Sequence, residues 1–176
     1  TETTWQDTAT LRMKNTFIQQ TLECSDWNIT PTAFQKNSFP QRWQQKISII
    51  HDGIDTSNIV PMIRPVKVKI NKFLTLDSNC EVITYVNRAI EPYRGCHTLI
   101  RAIPKLQDLA PNAYLIIIGD PNGDGYGPRP NNNTTWKDHF LKEIQGSYDP
   151  KKIIFTGRLS YDNYLKILQI SSAHIY

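Results

Sequence analysis

The stretch that decides the fold is residues 81–120, EVITYVNRAIEPYRGCHTLIRAIPKLQDLAPNAYLIIIGD. It opens and closes on the apolar runs "EVITYVN" and "AYLIIIG", which are typical of strands buried on both faces. Between them, "CHTLIRAIPKLQDLAP" places Leu99, Ile103 and Leu106 on one helical face, although Pro104 should kink or shorten that helix. Two strands joined through a helix must pair in parallel. We therefore predict a βαβ unit.

The same alternation continues towards the C-terminus. "TTWKDHFLKEIQ" predicts a helix with Thr134 or Thr135 as N-cap, and "KKIIFTG" predicts a third strand. "SYDNYLKILQIS" predicts a helix capped by Ser160, followed by the strand "AHIY". The pattern as a whole predicts an α/β fold with a doubly wound parallel sheet.

The residues before position 81 are less regular. Residues 8–24 have amphipathic helix spacing, "SDWNITPT" predicts a short strand ending at Pro31, and the next short helix should stop before Pro40. "KISIIHDGID" predicts another strand. Residues 55–79 show no clear element, which indicates a linker or an extended excursion.

Composition limits the classes of function. The 176 residues carry a formal net charge of +4, with Lys and Arg scattered along the chain, so no nucleic-acid arm is indicated and no nucleic-acid partner is expected. The three cysteines lie far apart without metal-ligand spacing, which indicates a reducing, cytoplasmic setting. No stretch approaches the length of a membrane-spanning helix.

The loop "NRAIEPYRG" follows the first predicted strand of the βαβ unit and is the main candidate site. Arg88 and Arg94 lie on a short connection, so both cations can converge on one anion, for which a diphosphate is the obvious candidate. Gly95 and the start of the next helix add close backbone approach and N–H donors. In the alternative, both arginines pair with Glu91 and other surface carboxylates.

A second loop, "GDPNGDGYGP", follows the next strand. Asp120, Asn122 and Asp124 match the start of a calcium loop, but the loop is entered from a strand, and Asn131 stands where a glutamate is required. We therefore expect no metal there. The predicted role is the rim of a ligand cleft, formed by Gly119, Asp120, Tyr126 and Gly127.

Together these stretches, with "IIFTGRLSYDNYLKILQISSAHIY", resemble the C-terminal half of family 4 glycosyltransferases over residues 29–176. The stretch "RAIEPYRG", which has the form R-x-x-E-P-Y-R-G, carries the resemblance most specifically. It implies one Rossmann-like half of a GT-B fold. Residues 1–45 would then belong to the acceptor-binding domain, residues 46–80 to the interdomain linker and a first strand, and residues 81–176 to the nucleotide-sugar-binding domain, incomplete at its C-terminus.

The resemblance also implies roles for individual residues. Arg88 matches the arginine that holds the donor diphosphate, and Arg94 stands where a lysine is usual, next to Gly95. The turn Gly157, Arg158 and Leu159 matches the place that holds the nucleotide base. No catalytic residue is expected before Tyr176, because the family's E-x7-E segment should follow it.

The implied function is transfer of a sugar, with retention, from a UDP- or GDP-linked donor to a saccharide or lipid-linked acceptor, without a metal or other cofactor. The implied setting is polysaccharide biosynthesis, the fragment alone is expected to be inactive, and peripheral membrane association of the parent enzyme stays open. Two alternatives remain: a non-catalytic nucleotide-binding or interaction module on a Rossmann-like scaffold, and a related enzyme such as an epimerase or phosphorylase.

Overall fold

A computed structural model describes residues 4–61, 66–122, 125, 127, 130 and 134–176. The chain divides into two compact units, an N-terminal unit of Thr1–Asn58 and a C-terminal unit of Ile59–Tyr176. The division lies inside residues 46–80, the segment that the sequence predicts as a linker with a first strand. Within the described residues, no helix is both long and apolar enough to cross a membrane.

Among the described residues of the N-terminal unit, two short strands pair in parallel and three helices accompany them. Its elements are α1 (Trp5–Cys24), β1 (Asn28–Thr30), α2 (Ala33–Ser38), α3 (Gln41–Gln44) and β2 (Ile47–Ile49). Helix α1 begins three residues before the predicted start, because Thr4 and Asp7 form a reciprocal capping box. Helix α2 stops before Pro40, as predicted.

The C-terminal unit contains the predicted alternation of strands and helices. Its elements are β3 (Lys67–Lys69), β4 (Thr75–Asp77), β5 (Val82–Ala89), α4 (Cys96–Leu109), β6 (Tyr114–Asp120), α5 (Trp136–Glu143), β7 (Ile153–Gly157), α6 (Tyr161–Gln169) and β8 (Ala173–Ile175). Strands β5 to β8 form one parallel sheet in the order β7-β6-β5-β8. The predicted α/β fold with a parallel sheet is therefore confirmed.

Helices cover both faces of this sheet. On one face, Tyr85 and Ile117 pack with Ile100 of α4 and Phe140 of α5. On the other face, Ile116 packs in a second cluster that includes Ile167 and Ile170, from α6 and the residue after it, and Val68 and Leu76 from β3 and β4. Adjacent strand residues thus enter opposite cores, which explains why the strand sequences are apolar without alternation.

The expectation that residues 55–79 hold no clear element is wrong for Lys67–Asp77. Strands β3 and β4 pair antiparallel, and Asn71 Oδ1 accepts hydrogen bonds from the backbone N–H groups of Phe73 and Leu74 at 2.8 and 2.9 Å, which fixes the turn. The stretch "VKVKI" has the period of two that a half-buried strand requires, with Val68 buried between exposed lysines.

Two details of the helices also differ from expectation. Pro104 does not end α4, which continues to Leu109, because Ile100 and Ile103 are fully buried and hold the helix on the sheet. Ser160 occupies the N-cap position of α6 but makes no capping hydrogen bond with its side chain. Thr135, by contrast, caps α5 by accepting a hydrogen bond from the Asp138 N–H at 3.0 Å.

Candidate functional site

A cavity of about 330 Å³ opens at the carboxyl edge of the parallel sheet. Because β5, β6 and β7 are parallel, the loops that follow them meet at this edge. The cavity is lined by Asn87, Arg88, Ile118, Gly119, Arg158, Leu159 and Tyr164. The predicted site residues Arg88, Gly119, Arg158 and Leu159 are thus brought together by the structure.

The pairing of β5 with β6 shifts its register where the two strands reach the cavity. Val86 pairs with Ile118 and Ala89 with Asp120, so β5 advances three residues while β6 advances two. This extra residue has the form of a β-bulge, which bends a strand and redirects a side chain. Arg88 lies at this irregularity and is exposed, whereas Asn87 beside it is buried. The irregularity therefore places the exposed Arg88 side chain at the carboxyl edge of the sheet, on the lining of the cavity.

Asp120 connects two of the strand-end loops. Its carboxylate accepts a hydrogen bond from the Asn122 N–H at 3.0 Å and forms an ion pair with Arg158, with Asp120 Oδ2 3.4 Å from Arg158 Nε. Asp120 therefore caps a backbone amide at the start of the loop after β6. Arg158 remains 70% exposed, so its guanidinium can still reach a ligand in the cavity.

The end of β5 and its connection to α4, residues 87–95, are here called the arginine loop. The buried side chain of Tyr85 holds this loop in place. The buried Tyr85 hydroxyl donates a hydrogen bond to the Arg94 carbonyl oxygen at 2.9 Å and accepts one from Asn87 Nδ2 at 3.2 Å. Burial raises the pKa of Tyr85, because the phenolate would be poorly solvated. The hydroxyl therefore stays protonated and keeps its donor role at neutral pH.

Arg94 lies on the same loop as Arg88, but only Arg88 is among the residues that line the cavity. The Arg94 side chain is exposed. The next residue, Gly95, has φ +81° and immediately precedes α4, and Gly157 at the end of β7 has φ +70°. Both are left-handed conformations that favour glycine, so the predicted glycines have a structural reason to be there.

Cys96, the first residue of α4, does not act as a nucleophile in this arrangement. Its side chain is fully buried, and burial raises the pKa of the thiol to about 12. A thiolate is the reactive form of cysteine, and it is essentially unpopulated at neutral pH with such a pKa.

Glu91, which the sequence indicates only as an alternative partner of the two arginines, belongs to this site. It is only 3% exposed, so it is a buried carboxylate and not a surface one. Its Oε2 accepts a hydrogen bond from the Gly127 N–H at 3.1 Å. Its position between two loop arginines indicates a surface ion pair, and the sequence carries no signal of its burial. The predicted rim residue Tyr126, together with Gly123, Asp124 and Asn131, lies outside the described residues.

Fold and site together define a Rossmann-like α/β protein with a cavity lined by Arg88 and Arg158 at the carboxyl edge of its sheet. The chain belongs to the family described as Glycosyl transferases group 1, whose sequence model matches residues 66–176. The model of a second family, Glycosyl transferase family 4 group, matches residues 1–59. The predicted glycosyltransferase membership is therefore confirmed.

Individual relatives agree with this family. A D-inositol 3-phosphate glycosyltransferase of Segniliparus rotundus is 31% identical over 85 residues, which are 48% of this chain and 18% of that protein. The crystal structure of TarM matches 91% of this chain and 26% of its own with a TM-score of 0.58 and 13% identity, so this likeness concerns the GT-B type of fold alone. The chain thus spans less than a third of either relative.

Proposed function

We propose that this chain is the nucleotide-sugar-binding part of a retaining glycosyltransferase. The donor would be a UDP- or GDP-linked sugar, and the acceptor a saccharide or lipid-linked saccharide. The observation that carries the proposal is the 330 Å³ cavity with Arg88 and Arg158 on its lining at the carboxyl ends of three parallel strands. Open α/β sheets bind ligands at this edge, and two guanidinium groups there favour an anionic ligand.

The diphosphate of the donor fits the charge of this cavity. Arg88 is exposed at the irregular end of β5, where its planar guanidinium can donate two parallel hydrogen bonds to phosphate oxygens. Arg94 is not on the lining of the cavity, and in this proposal its exposed side chain, next to Gly95, reaches the same diphosphate from the other end of the arginine loop. When the sugar leaves, negative charge grows on the departing phosphate, and fixed cations stabilise that charge without rearrangement.

The nucleoside would lie across the turn after β7. Gly157 adopts a left-handed conformation there, so its backbone can face a ligand without a side chain intervening. Leu159 and Tyr164 supply apolar and aromatic surface to the same cavity. A flat base packed against such surface, with polar edges bonded to the backbone, is typical of nucleotide sites.

In the complete enzyme, the acceptor would attack on the face from which the nucleoside diphosphate departs. In this proposal the arginines stabilise the negative charge on the leaving phosphate, which a metal ion does in other transferases. Donor binding is therefore proposed for this chain, and sugar transfer only for a complete enzyme of the family.

Calorimetric titration with UDP and with GDP tests the proposal. We expect at least one of them to bind, and Arg88→Ala to weaken binding about tenfold to a hundredfold, since charge-assisted hydrogen bonds contribute roughly 1.5–3 kcal/mol. Arg12→Ala is the matched control, because Arg12 is an exposed arginine on α1 in the other unit. Equal affinity of Arg88→Ala and wild type would contradict the assignment of Arg88.

A further inference from the structure

We propose that Glu91 is a positioning residue that holds the loop after β6 against the arginine loop. The loop after β6, here called the glycine loop, is described at residues 119–122, 125, 127 and 130. The consequence drawn for ligand affinity rests on the function proposed above. The contact itself rests only on the packing of the two loops.

The Glu91 carboxylate accepts a hydrogen bond from the glycine loop. The Gly127 N–H donates to Glu91 Oε2 at 3.1 Å, and Glu91 is 97% buried, since its exposed fraction is 3%. A buried carboxylate is costly unless its oxygens accept hydrogen bonds, and hydrogen bonds to a charged acceptor are among the stronger ones. The hydrogen bond from the loop backbone therefore offsets part of the free-energy cost of burying the Glu91 carboxylate. The same hydrogen bond holds the loop in place.

Gly125 packs directly on the same carboxylate. A Cβ added at Gly125 would overlap the Glu91 carboxylate atoms, so any larger residue would displace either this carboxylate or the loop that packs on it. Closer to the sheet, a Cβ added at Gly119 would collide with the Asn87 carbonyl oxygen, and the Ile90 N–H donates to the Asp120 carbonyl oxygen at 3.0 Å. The two loops are thus joined at successive positions, and Glu91 forms the outermost junction.

The contact between the two loops affects the cavity because the glycine loop begins with residues that line the cavity or contact its lining. Gly119 lines the cavity, and Asp120 holds Arg158 by the 3.4 Å ion pair. If the outer junction is lost, the glycine loop gains freedom, and the fraction of molecules with Gly119 and Asp120 correctly placed falls. Apparent affinity for a ligand decreases in proportion to the competent fraction.

A negative charge beside an anion site also has a direct effect of the opposite sign. If repulsion of the diphosphate were the main effect of Glu91, removing its charge would strengthen binding. If positioning is the main effect, removing the whole side chain weakens binding, while Glu91→Gln retains an acceptor oxygen for the Gly127 N–H and stays close to wild type. The two variants therefore separate positioning from electrostatics.

The experiment combines calorimetry with UDP and GDP and residue-resolved amide hydrogen exchange, on the full chain. The variants are Glu91→Ala, Glu91→Gln, Gly125→Ala and the double variant Glu91→Ala with Gly125→Ala. Glu81→Ala is the control, because Glu81 precedes the same strand at its opposite end and is exposed. We expect Glu91→Ala to weaken binding about tenfold and to speed exchange of the Gly127 amide by a similar factor.

Gly125→Ala should have the same two effects, and it should cost less when Glu91 is already alanine, because the overlapping carboxylate is gone. Glu91→Gln, which keeps an acceptor oxygen for the Gly127 N–H, and Glu81→Ala, a surface substitution, should each bind within about twofold of wild type. Wild-type or tighter binding by Glu91→Ala, or an unchanged Gly127 exchange rate, would overturn the proposal. A role in stability alone predicts a lower melting temperature with unchanged affinity, which also counts against it.

Two outcomes keep this test separate from that of the proposed function. If wild type binds neither UDP nor GDP, the nucleotide proposal fails, and the Gly127 exchange rates of wild type and Glu91→Ala alone decide the role of Glu91. If Glu91→Ala does not fold, Gly125→Ala, which keeps the carboxylate, decides it by the same two measurements.

Discussion

The two units of the chain differ in where their apolar side chains lie. The N-terminal unit buries one small cluster, Leu22, Trp43 and Ile47, while Trp5 and Phe17 on α1 are 76% and 67% exposed. The C-terminal unit buries its strands on both faces, in two clusters that include Ile100 and Ile116. Stability rises with the apolar area removed from water, so most of it belongs to the C-terminal unit.

The difference explains where a binding site can be built. The cavity with Arg88 and Arg158 lies on strand ends whose other residues are fixed in the two-sided core. Binding groups work best when rigid elements hold them in place. A pair of three-residue strands such as β1 and β2 offers much less support, because two-stranded sheets are marginally stable.

The largest loss in free energy of unfolding is expected for a substitution in the core of the C-terminal unit. Ile100→Ala removes a fully buried side chain from α4 and should lower the free energy of unfolding by about 2–5 kcal/mol. Urea denaturation followed by circular dichroism measures this loss. Leu109→Ala on the same helix is the control, because Leu109 is 73% exposed, and a loss as large as that of Ile100→Ala would break the comparison.

A smaller effect is expected from the core of the N-terminal unit. Leu22→Ala should cost about 2 kcal/mol, the low end of the range, because a cluster of three buried residues can collapse around the missing atoms. The measurement is the loss of α1 helicity with urea, with Ile18→Ala, which is 47% exposed, as control. If Leu22→Ala costs more than Ile100→Ala, the two units do not differ as described.

The sequence was sufficient to predict the sheet of the C-terminal unit. Apolar runs such as residues 115–118 and the helical spacing around Ile103 are local signals, and they specify strand, helix and parallel pairing without knowledge of the neighbours. The β3–β4 hairpin was missed because its strands have three residues each, and so short an alternation is easily taken for a linker.

The site was predicted only in part, for a different reason. Arg88 and the glycines could be placed because strand ends meet at one edge of a parallel sheet. The ion pair of Arg158 with Asp120 and the burial of Glu91 depend on how loops pack on each other, and residue type gives no signal for this. A glutamate in a polar loop is usually exposed, so its burial is visible only in the structure.

The smallest effect concerns the capping box at the start of α1, in the unit with the weaker core. The hydrogen bonds from the Thr4 hydroxyl and backbone N–H to the Asp7 carboxylate, 2.7 and 2.9 Å long, lower the pKa of Asp7, the hydroxyl contributing most. A lowered folded-state pKa stabilises the helix above the usual carboxyl pKa, and the stabilisation is lost as pH falls through the lowered value.

Thr4→Val should therefore raise the pKa of Asp7 towards its usual value, and α1 should begin to lose helicity at a higher pH than in wild type. Circular dichroism during acid titration, together with the carboxyl chemical shift of Asp7 by NMR, measures both effects. Asp26→Asn is the control, since Asp26 is exposed just after the end of α1. Because the N-terminal unit has little core to compensate, a change at one helix cap should be visible there, and identical titrations of Thr4→Val and wild type would show that packing rather than the cap holds the start of α1.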